Sequence, residues 1–344
     1  MASPQDQPII GESPAFLEVI DQASRAARHE RPVLVIGERG TGKELIAARL
    51  HFLSPRWEGN FIQVNCAALT ESLLESELFG HEAGSFTGAA NKRIGRFEEA
   101  HGGTLFMDEI ATCSMSAQEK ILRITEYGTF QRVGGNKVLN VDVRLIGATN
   151  VDLPSAADAG EFRHDLLDRL ALDVITLPPL RARREDIILL AFHFGQRAAH
   201  DRDWSSFPGF SEDMIEALQE YHWPGNIREL KNVVERAVYH AEDEFDPIHI
   251  LELDPFRSPW RPKPAASSHK DEKPPVQEAP AAHKEPVITE TLGPTDYTET
   301  VARVEKDLLQ KALDANKHNQ RDTAVYLNLT YHQLRHQLKK HDLL

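Results

Sequence analysis

One junction constrains this chain more than any other. The apolar run Val33-Leu34-Val35-Ile36 passes without a spacer into Gly37-Glu38-Arg39-Gly40-Thr41-Gly42-Lys43-Glu44, and a helical pattern follows over Lys43–Leu53. A strand that empties through glycines into a lysine at a helix start fits a phosphate-binding loop. Glycines let backbone N–H groups turn toward phosphate oxygens, and the helix N-terminus favours the anion. Gly37, Glu38, Arg39, Gly40, Thr41, Gly42, Lys43 and Glu44 are therefore candidate nucleotide contacts, with Lys43 reaching the β- and γ-phosphates. Glu44 stands where such loops usually carry Ser or Thr, which leaves a Mg²⁺ contact to Thr41, to water or to a second acidic motif.

That second motif is Gly103-Thr104-Leu105-Phe106-Met107-Asp108-Glu109, an apolar strand ending in two carboxylates. Asp108 suits Mg²⁺, directly or through water, and Glu109 suits polarising an attacking water. Asn65 ends the apolar run Phe61–Val64, and Thr149 and Asn150 end Val143–Ala148. Strand C-termini in an open parallel sheet line the ligand crevice, so these three are either γ-phosphate sensors or turn caps.

Around these motifs, strands at Val33–Ile36, Phe61–Val64, Thr104–Met107, Val143–Ala148 and Val174–Leu177 alternate with helical patterns at Lys43–Leu53, Ser116–Ile124 and Phe162–Leu172. Alternation predicts an α/β fold, a parallel sheet with helices on both faces. Beyond Arg184 the strands stop. Ile187–Arg197, Ser211–Tyr221 (Ser211 as N-cap) and Asn226–Tyr239 predict a small helical subdomain. Residues 257–295 hold eight of the chain's 20 prolines in 39 positions and read as an extended linker. The expected division is 1–183, an α/β core; 184–256, a helical lid; 257–295, a linker; and 296–344, a small C-terminal domain.

The C-terminal domain reads as three helices. Val301, Val304, Leu308, Leu309, Ala312 and Leu313 keep a helical period in the first. Asn319 caps the second, with Ala324 and Leu327 facing inward. Thr330 and Gln333 form a capping box for the third, with Leu334 and Leu338 inward. Arg321, Thr330, Tyr331, His332, Arg335, His336, Lys339 and Lys340 are left to face a partner, and a basic helix after a turn is a helix-turn-helix signature for DNA. The alternative is a dimerisation module with a solvated basic face. The net charge of −14 divides into −15 for residues 1–295 and +1 for 296–344. An acidic body thus carries one locally basic module. No apolar run approaches the ~18 residues of a membrane span. Met1–Pro8 has no secretory pattern, and Cys66 and Cys113 read as reduced thiols of a cytoplasmic protein.

Several motifs in order resemble a known family. Glu77-Leu78-Phe79-Gly80-His81-Glu82-Ala83-Gly84-Ser85-Phe86-Thr87-Gly88-Ala89 looks like the signature loop of bacterial enhancer-binding activators, AAA+ ATPases that remodel RNA polymerase carrying sigma-54. The resemblance implies that Gly84, Ser85, Phe86, Thr87, Gly88 and Ala89 contact sigma-54. Ser85 departs from the family's Ala. Phe162–Leu170 is similar to the segment supplying trans arginine fingers, here Arg163 and Arg169. Trp223-Pro224-Gly225-Asn226-Ile227-Arg228 resembles the sensor II region, with Arg228 facing the nucleotide. Ile9-Ile10-Gly11 falls where the family packs adenine, and Asn65 where a residue bonds the catalytic Glu. Gly128–Val138 fits the second, pre-sensor loop.

The C-terminal segment is similar to Fis-type helix-turn-helix domains. Many members of this two-component-like regulatory family carry an N-terminal regulatory domain, whereas here the ATPase begins within about ten residues of Met1. That arrangement, with His51–Trp57, looks like the phage-shock branch, whose members are held off by a phage shock protein A-type inhibitor. Trp57 is then the candidate docking residue. The resemblance implies a stress-responsive, sigma-54-dependent transcriptional activator that uses ATP and Mg²⁺, assembles as a hexamer and binds enhancer DNA and the sigma-54 holoenzyme without membrane insertion. The rival expectation is a DNA-binding regulator whose ATPase domain is only a nucleotide-tuned oligomerisation switch.

Overall fold

A computed structural model describes residues 8–85, 91–256, 260, 306, 308–314, 319–327 and 331–341, in two units, Met1–Lys263 and Pro264–Leu344. The first unit is built on five parallel strands, β1 (Val33–Ile36), β2 (Phe61–Asn65), β3 (Thr104–Asp108), β6 (Arg144–Thr149) and β7 (Val174–Thr176), in the order β2-β3-β6-β1-β7. Successive side chains point to opposite faces. Leu34, Leu105 and Met107 accordingly join one core with α3 (Glu71–Phe79), α5 (Met115–Tyr127) and α7 (His164–Leu170). Val33, Val35, Phe106 and Ile146 join a second core with α1 (Pro14–Ala27) and α2 (Lys43–Phe52). A strand apolar on both faces must be covered twice, and this one is.

Register fixes which ends meet. Ile36 lies beside Thr149, and Asn65 beside Asp108, so the chain reversals that follow β1, β2, β3 and β6 share one edge. Between α5 and β6 the chain makes an antiparallel excursion, β4 (Thr129–Gln131) with β5 (Val138–Asn140). The remaining short helices of this unit are α4 (Arg96–Glu99) and α6 (Leu153–Asp158).

Arg144, the first residue of β6, is 1% exposed without a carboxylate partner among the described contacts. Its guanidinium donates to the carbonyls of Ala26, Ala27, Arg31 and Leu50. Three of these are last-turn carbonyls of α1 and α2, where helix dipoles favour a cation. Burial nonetheless pushes its pKa down.

The lid of the first unit is α8 (Arg184–Asp201), α9 (Glu212–Glu220) and α10 (Asn226–His240). Its core closes on Trp223, wholly buried, whose indole N–H donates to Leu218 O at 2.8 Å. Ser211 caps α9 as its sequence predicts, accepting from Met214 N. Helix α8 outruns the expected Ile187–Arg197 because Arg183 and Asp186 at its start are held in a buried ion pair at 2.8 Å.

In the second unit, Leu309, Leu313, Ala324, Leu334 and Leu338 form one cluster around helices Gln320–Tyr326 and Tyr331–Lys340, with Leu327 packed against it. Leu308 corrects the expected apolar face: it is 57% exposed, because the face is carried by positions 309, 312 and 313 and residue 308 is turned ~100° away from 309. Val301, Val304, Thr330 and nearly all of 257–295 lie outside the described residues.

Candidate nucleotide site and its partner loops

The loop after β1 is pinned at its base, where Gly37 N–H donates to Thr149 O at 3.2 Å. Lys43 opens α2 and is 5% exposed, its ammonium resting on the carbonyls of Gly37 (2.9 Å) and Glu38 (3.4 Å). A buried ammonium held only by backbone carbonyls is poised for a stronger anionic partner. Thr41 Oγ donates to Glu38 O at 2.8 Å. Gly40 has φ 77°, and a Cβ there would lie 2.4 Å from Gly225 O, so glycine is what lets the lid close on the loop apex.

A cavity of about 430 Å³ lies between loop and lid. Ile10, Gly40, Thr41, Gly42, Glu44 and Arg228 line it, as does Arg183. The size and mix of apolar wall and convergent polar groups suit a nucleotide. Gly11 lies beside this wall, packed on Phe16 and Arg183. Arg39 instead lines a neighbouring cleft of about 660 Å³, shared with Gly225 and Arg228. Its carbonyl accepts from Asn226 Nδ2 at 3.0 Å.

Asp108 ends β3, and its carboxylate accepts from Glu109 N–H at 3.1 Å. Glu109 has φ 53°, a strained conformation for a non-glycine residue, held by Thr112 donating twice to its carbonyl. Asn65 Oδ1 accepts from Ala67 N–H at 2.9 Å, a turn cap at the end of β2. Thr149, wholly buried, accepts from Val151 N–H, and Asn150 is exposed. Cys66 and Cys113 are buried free thiols behind this edge; each other's thiol and burial push Cys66 up.

Arg163 grips Asp165 with two prongs, at 3.0 and 2.7 Å, and the contact holds the Asp165 carboxyl down. Arg169 pairs with Glu126 at 2.9 Å. Neither arginine lines the nucleotide cavity of its own chain. In the region of the signature loop, Gly84 and Ser85 are described and Phe86, Thr87, Gly88 and Ala89 lie outside the described residues. The loop's base is braced by Arg132, which reaches from the β4–β5 hairpin to Glu82 at 2.8 Å and to Glu98. Gly134 (φ 71°) abuts Ser85, where a Cβ would come within 2.5 Å.

Trp57 is 57% exposed; beside it Arg56 bonds Glu30 (3.0 Å) and Asp142 (2.8 Å), and at the end of the preceding helix the buried His51 bonds Thr104. On helix Tyr331–Lys340, Arg335, Lys339 and Lys340 are exposed. The side chains of Arg321, Tyr331, His332 and His336, like Thr330, lie outside the described residues.

The sequence reading missed the Arg132–Glu82–Glu98 brace, the Arg183–Asp186 pair and a Glu38–Arg181 pair. The brace and the Glu38–Arg181 pair join residues far apart in the chain, whereas Arg183 and Asp186 stand three residues apart and it is their burial that no local period marks. Among the described residues no cluster of three His, Cys, Asp or Glu is suited to a metal ion, and no helix is long and apolar enough to cross a membrane.

Three family models match the chain: Sigma-54 interaction domain over residues 9–176, AAA+ ATPase lid domain over 181–267, and Bacterial regulatory protein, Fis family, over 300–341. The Psp operon transcriptional activator of Escherichia coli (strain K12) is 52% identical over 335 residues, 97% of this chain and 98% of that protein. Regulatory protein AtoC of the same strain is 40% identical over 97% of this chain and 68% of its own length. The crystal structure of NtrX from Brucella abortus in complex with ATP matches 98% of this chain and 70% of its own, with a TM-score of 0.67 at 30% identity.

Proposed function

We propose a division of labour for this chain, which belongs to the sigma-54-dependent transcriptional activators and carries an AAA+ P-loop NTPase domain, an AAA+ lid and a Fis-type helix-turn-helix. ATP bound between neighbouring copies of a hexameric ring is hydrolysed, and the cycle drives residues 84–89 against sigma-54 to open the promoter complex. Helix Tyr331–Lys340 meanwhile holds enhancer DNA through Arg335, Lys339 and Lys340, and Arg321, Thr330, Tyr331, His332 and His336 are the further candidate contacts that the sequence offers.

The observation that carries the reading is the shared strand edge. Asn65, Asp108 and Thr149 end strands on that edge, Glu109 and Lys43 follow it, and Gly40, Thr41, Gly42 and Glu44 of the same loop line a lid-closed cavity of nucleotide size. In the reaction, amides of residues 37–43 and the Lys43 ammonium take the phosphates, Lys43 exchanging two carbonyls for a charged partner. Ile10 and Gly11 pack the base, and Arg228, Thr149 and Asn150 register the γ-phosphate. Glu109 orients the attacking water and accepts its proton. Asp108 and Thr41 are the residues that would hold Mg²⁺ together with the phosphates, and the cation would supply neutralisation of phosphate charge. Asn65, whose Oδ1 caps Ala67 N–H, offers its Nδ2 to the Glu109 carboxylate and so relays nucleotide state to the loop. Arg163 and Arg169 serve the neighbour's site. A phage shock protein A-type regulator docks at Trp57.

The test is open-complex formation by sigma-54 polymerase on a supercoiled template bearing a sigma-54 promoter. ATP-dependent transcription is the expected result. Intact ATP hydrolysis without any transcript would move the chain to the oligomerisation-switch reading.

A further inference from the structure

Glu38 stands second in the phosphate-binding loop, yet its carboxylate does not line the nucleotide cavity. Arg181 holds it with both prongs of its guanidinium, NH1 to Oε2 at 2.9 Å and NH2 to Oε1 at 2.5 Å. Asn226 Nδ2 donates to the same carboxylate at 3.1 Å. These partners come from different places. Arg181 lies in the 3₁₀ turn Leu180–Ala182 that joins β7 to the lid, and Asn226 starts α10. Asn226 is wholly buried, and its Oδ1 accepts from Leu180 N–H at 2.8 Å. Ile227 N–H then donates to Gly40 O at 3.0 Å. The core–lid turn, the lid helix and the phosphate loop are thus tied through one carboxylate.

That carboxylate sits one residue from Gly37, whose carbonyl receives the Lys43 ammonium in this structure. A bare negative charge there opposes phosphate binding, and opposes ATP more than ADP because ATP carries more charge. A bidentate guanidinium cancels it.

Resting on the nucleotide-site reading above, we propose that Arg181 is a positioning residue for nucleotide discrimination: it offsets the charge of the ionised Glu38 carboxylate and keeps it turned to the lid, and so preserves affinity for the triphosphate. The Glu38 carboxyl is held down to about 2, first by the Arg181 hydrogen bonds and then by Asn226. It is therefore ionised throughout the working pH range and needs its cation.

The experiment measures equilibrium binding of a non-hydrolysable ATP analogue and of ADP to the full chain and to Arg181→Ala, Arg181→Lys, Glu38→Gln and the Glu38→Gln/Arg181→Ala pair. Arg181→Ala should weaken the ATP analogue about three- to tenfold more than ADP, and added salt should shrink that gap. Arg181→Lys, which keeps the charge, should retain most of the preference. The double variant, which removes both charges, should return the ratio to within about twofold of wild type. Both residues are more than 40% exposed, so the variants should fold. An equal loss for both nucleotides, or a double variant no better than Arg181→Ala, would overturn the proposal while leaving the nucleotide site standing. Failure of the wild-type chain to bind either nucleotide would overturn both.

Discussion

The trans role of Arg163 and Arg169 can be tested by mixing two dead proteins. Arg163→Ala/Arg169→Ala leaves its own phosphate loop, Asp108 and Glu109 intact but delivers neither finger. Glu109→Gln delivers a finger but cannot activate water. A finger is worth ~10³–10⁵ in rate, or about 4–7 kcal/mol of transition-state stabilisation. The competing intramolecular contacts are weak by comparison. Arg169 is 53% exposed against Glu126, and Arg163 and Asp165 are 32% and 50% exposed, so releasing either pair costs at most about 1 kcal/mol. The swap to a neighbour's phosphate therefore wins comfortably. In a heterologous ring with random 1:1 mixing, about a quarter of interfaces join an intact Glu109 to an intact finger, and ATPase should return to roughly that fraction of wild type. Each variant alone should bind ATP and turn over at least ~10²-fold more slowly. No recovery on mixing, at concentrations where light scattering shows rings, would refute the trans assignment. Normal turnover by Arg163→Ala and Arg169→Ala rings would refute it more directly.

Four further outcomes follow from the described contacts. Glu109→Gln should keep ATP affinity within about twofold while single-turnover hydrolysis falls ~10²–10⁴-fold; a matching loss of affinity would make Glu109 a binding residue. Arg144→Met should destabilise the first unit by about 3 kcal/mol, because four carbonyls lose their donor while one buried cation is removed, lowering Tm by roughly 6–12 °C in calorimetry. Asp186 is pushed up by burial but pulled further down by Ser13, Glu12 N–H and Arg183, leaving it below its ordinary 3.8. A depressed carboxylate adds stability above the unfolded pKa that is lost as pH falls through the folded one. The stability of wild type should therefore fall below about pH 4 more steeply than that of Asp186→Asn, which should itself be about 3–5 kcal/mol less stable at pH 7. Trp57→Ala should bring the ratio of ATPase with and without a phage shock protein A-type inhibitor to near one; an unchanged ratio removes Trp57 from the docking site.

Much of the first unit is legible because its strands are short apolar runs whose ends carry the polar residues. Ile36, Asn65, Asp108 and Thr149 can be aligned from the sequence once a parallel sheet is assumed, and the register bears this out. The β4–β5 hairpin is not legible. Thr129–Gln131 and Val138–Asn140 are three-residue strands with mixed burial, too short for a period to register. The charged interior is equally hidden. Arginine is read as surface, yet Arg144 and Arg183 are each 1% exposed, held by carbonyls and a carboxylate supplied from more than one element. Trp223 carries a motif in the sequence, but its side chain is the anchor of the lid core rather than a nucleotide contact.

Backbone strain separates residues that the sequence treats alike. Among the described residues four non-glycine positions have positive φ: Glu109, Asp203, Trp223 and Asn226. For Asn and Asp that conformation costs little, since a short polar side chain bonds its own surroundings there. Asn226 does so, giving its amide to Glu38 and Arg39 and taking Leu180 N–H. Trp223 is fixed by complete burial in the lid core. Glu109 has neither excuse: its side chain is long, and its only described anchors are Thr112 on its carbonyl and Asp108 on its amide. A strain of about 1–3 kcal/mol persists only where the surroundings over-determine it. The left-handed bend aims the Glu109 side chain away from the direction that continued strand geometry would give it. Of the two adjacent carboxylates, the strained one is thus the residue whose direction the fold controls, which supports the proposed division in which Glu109 would orient water and Asp108 would meet Mg²⁺.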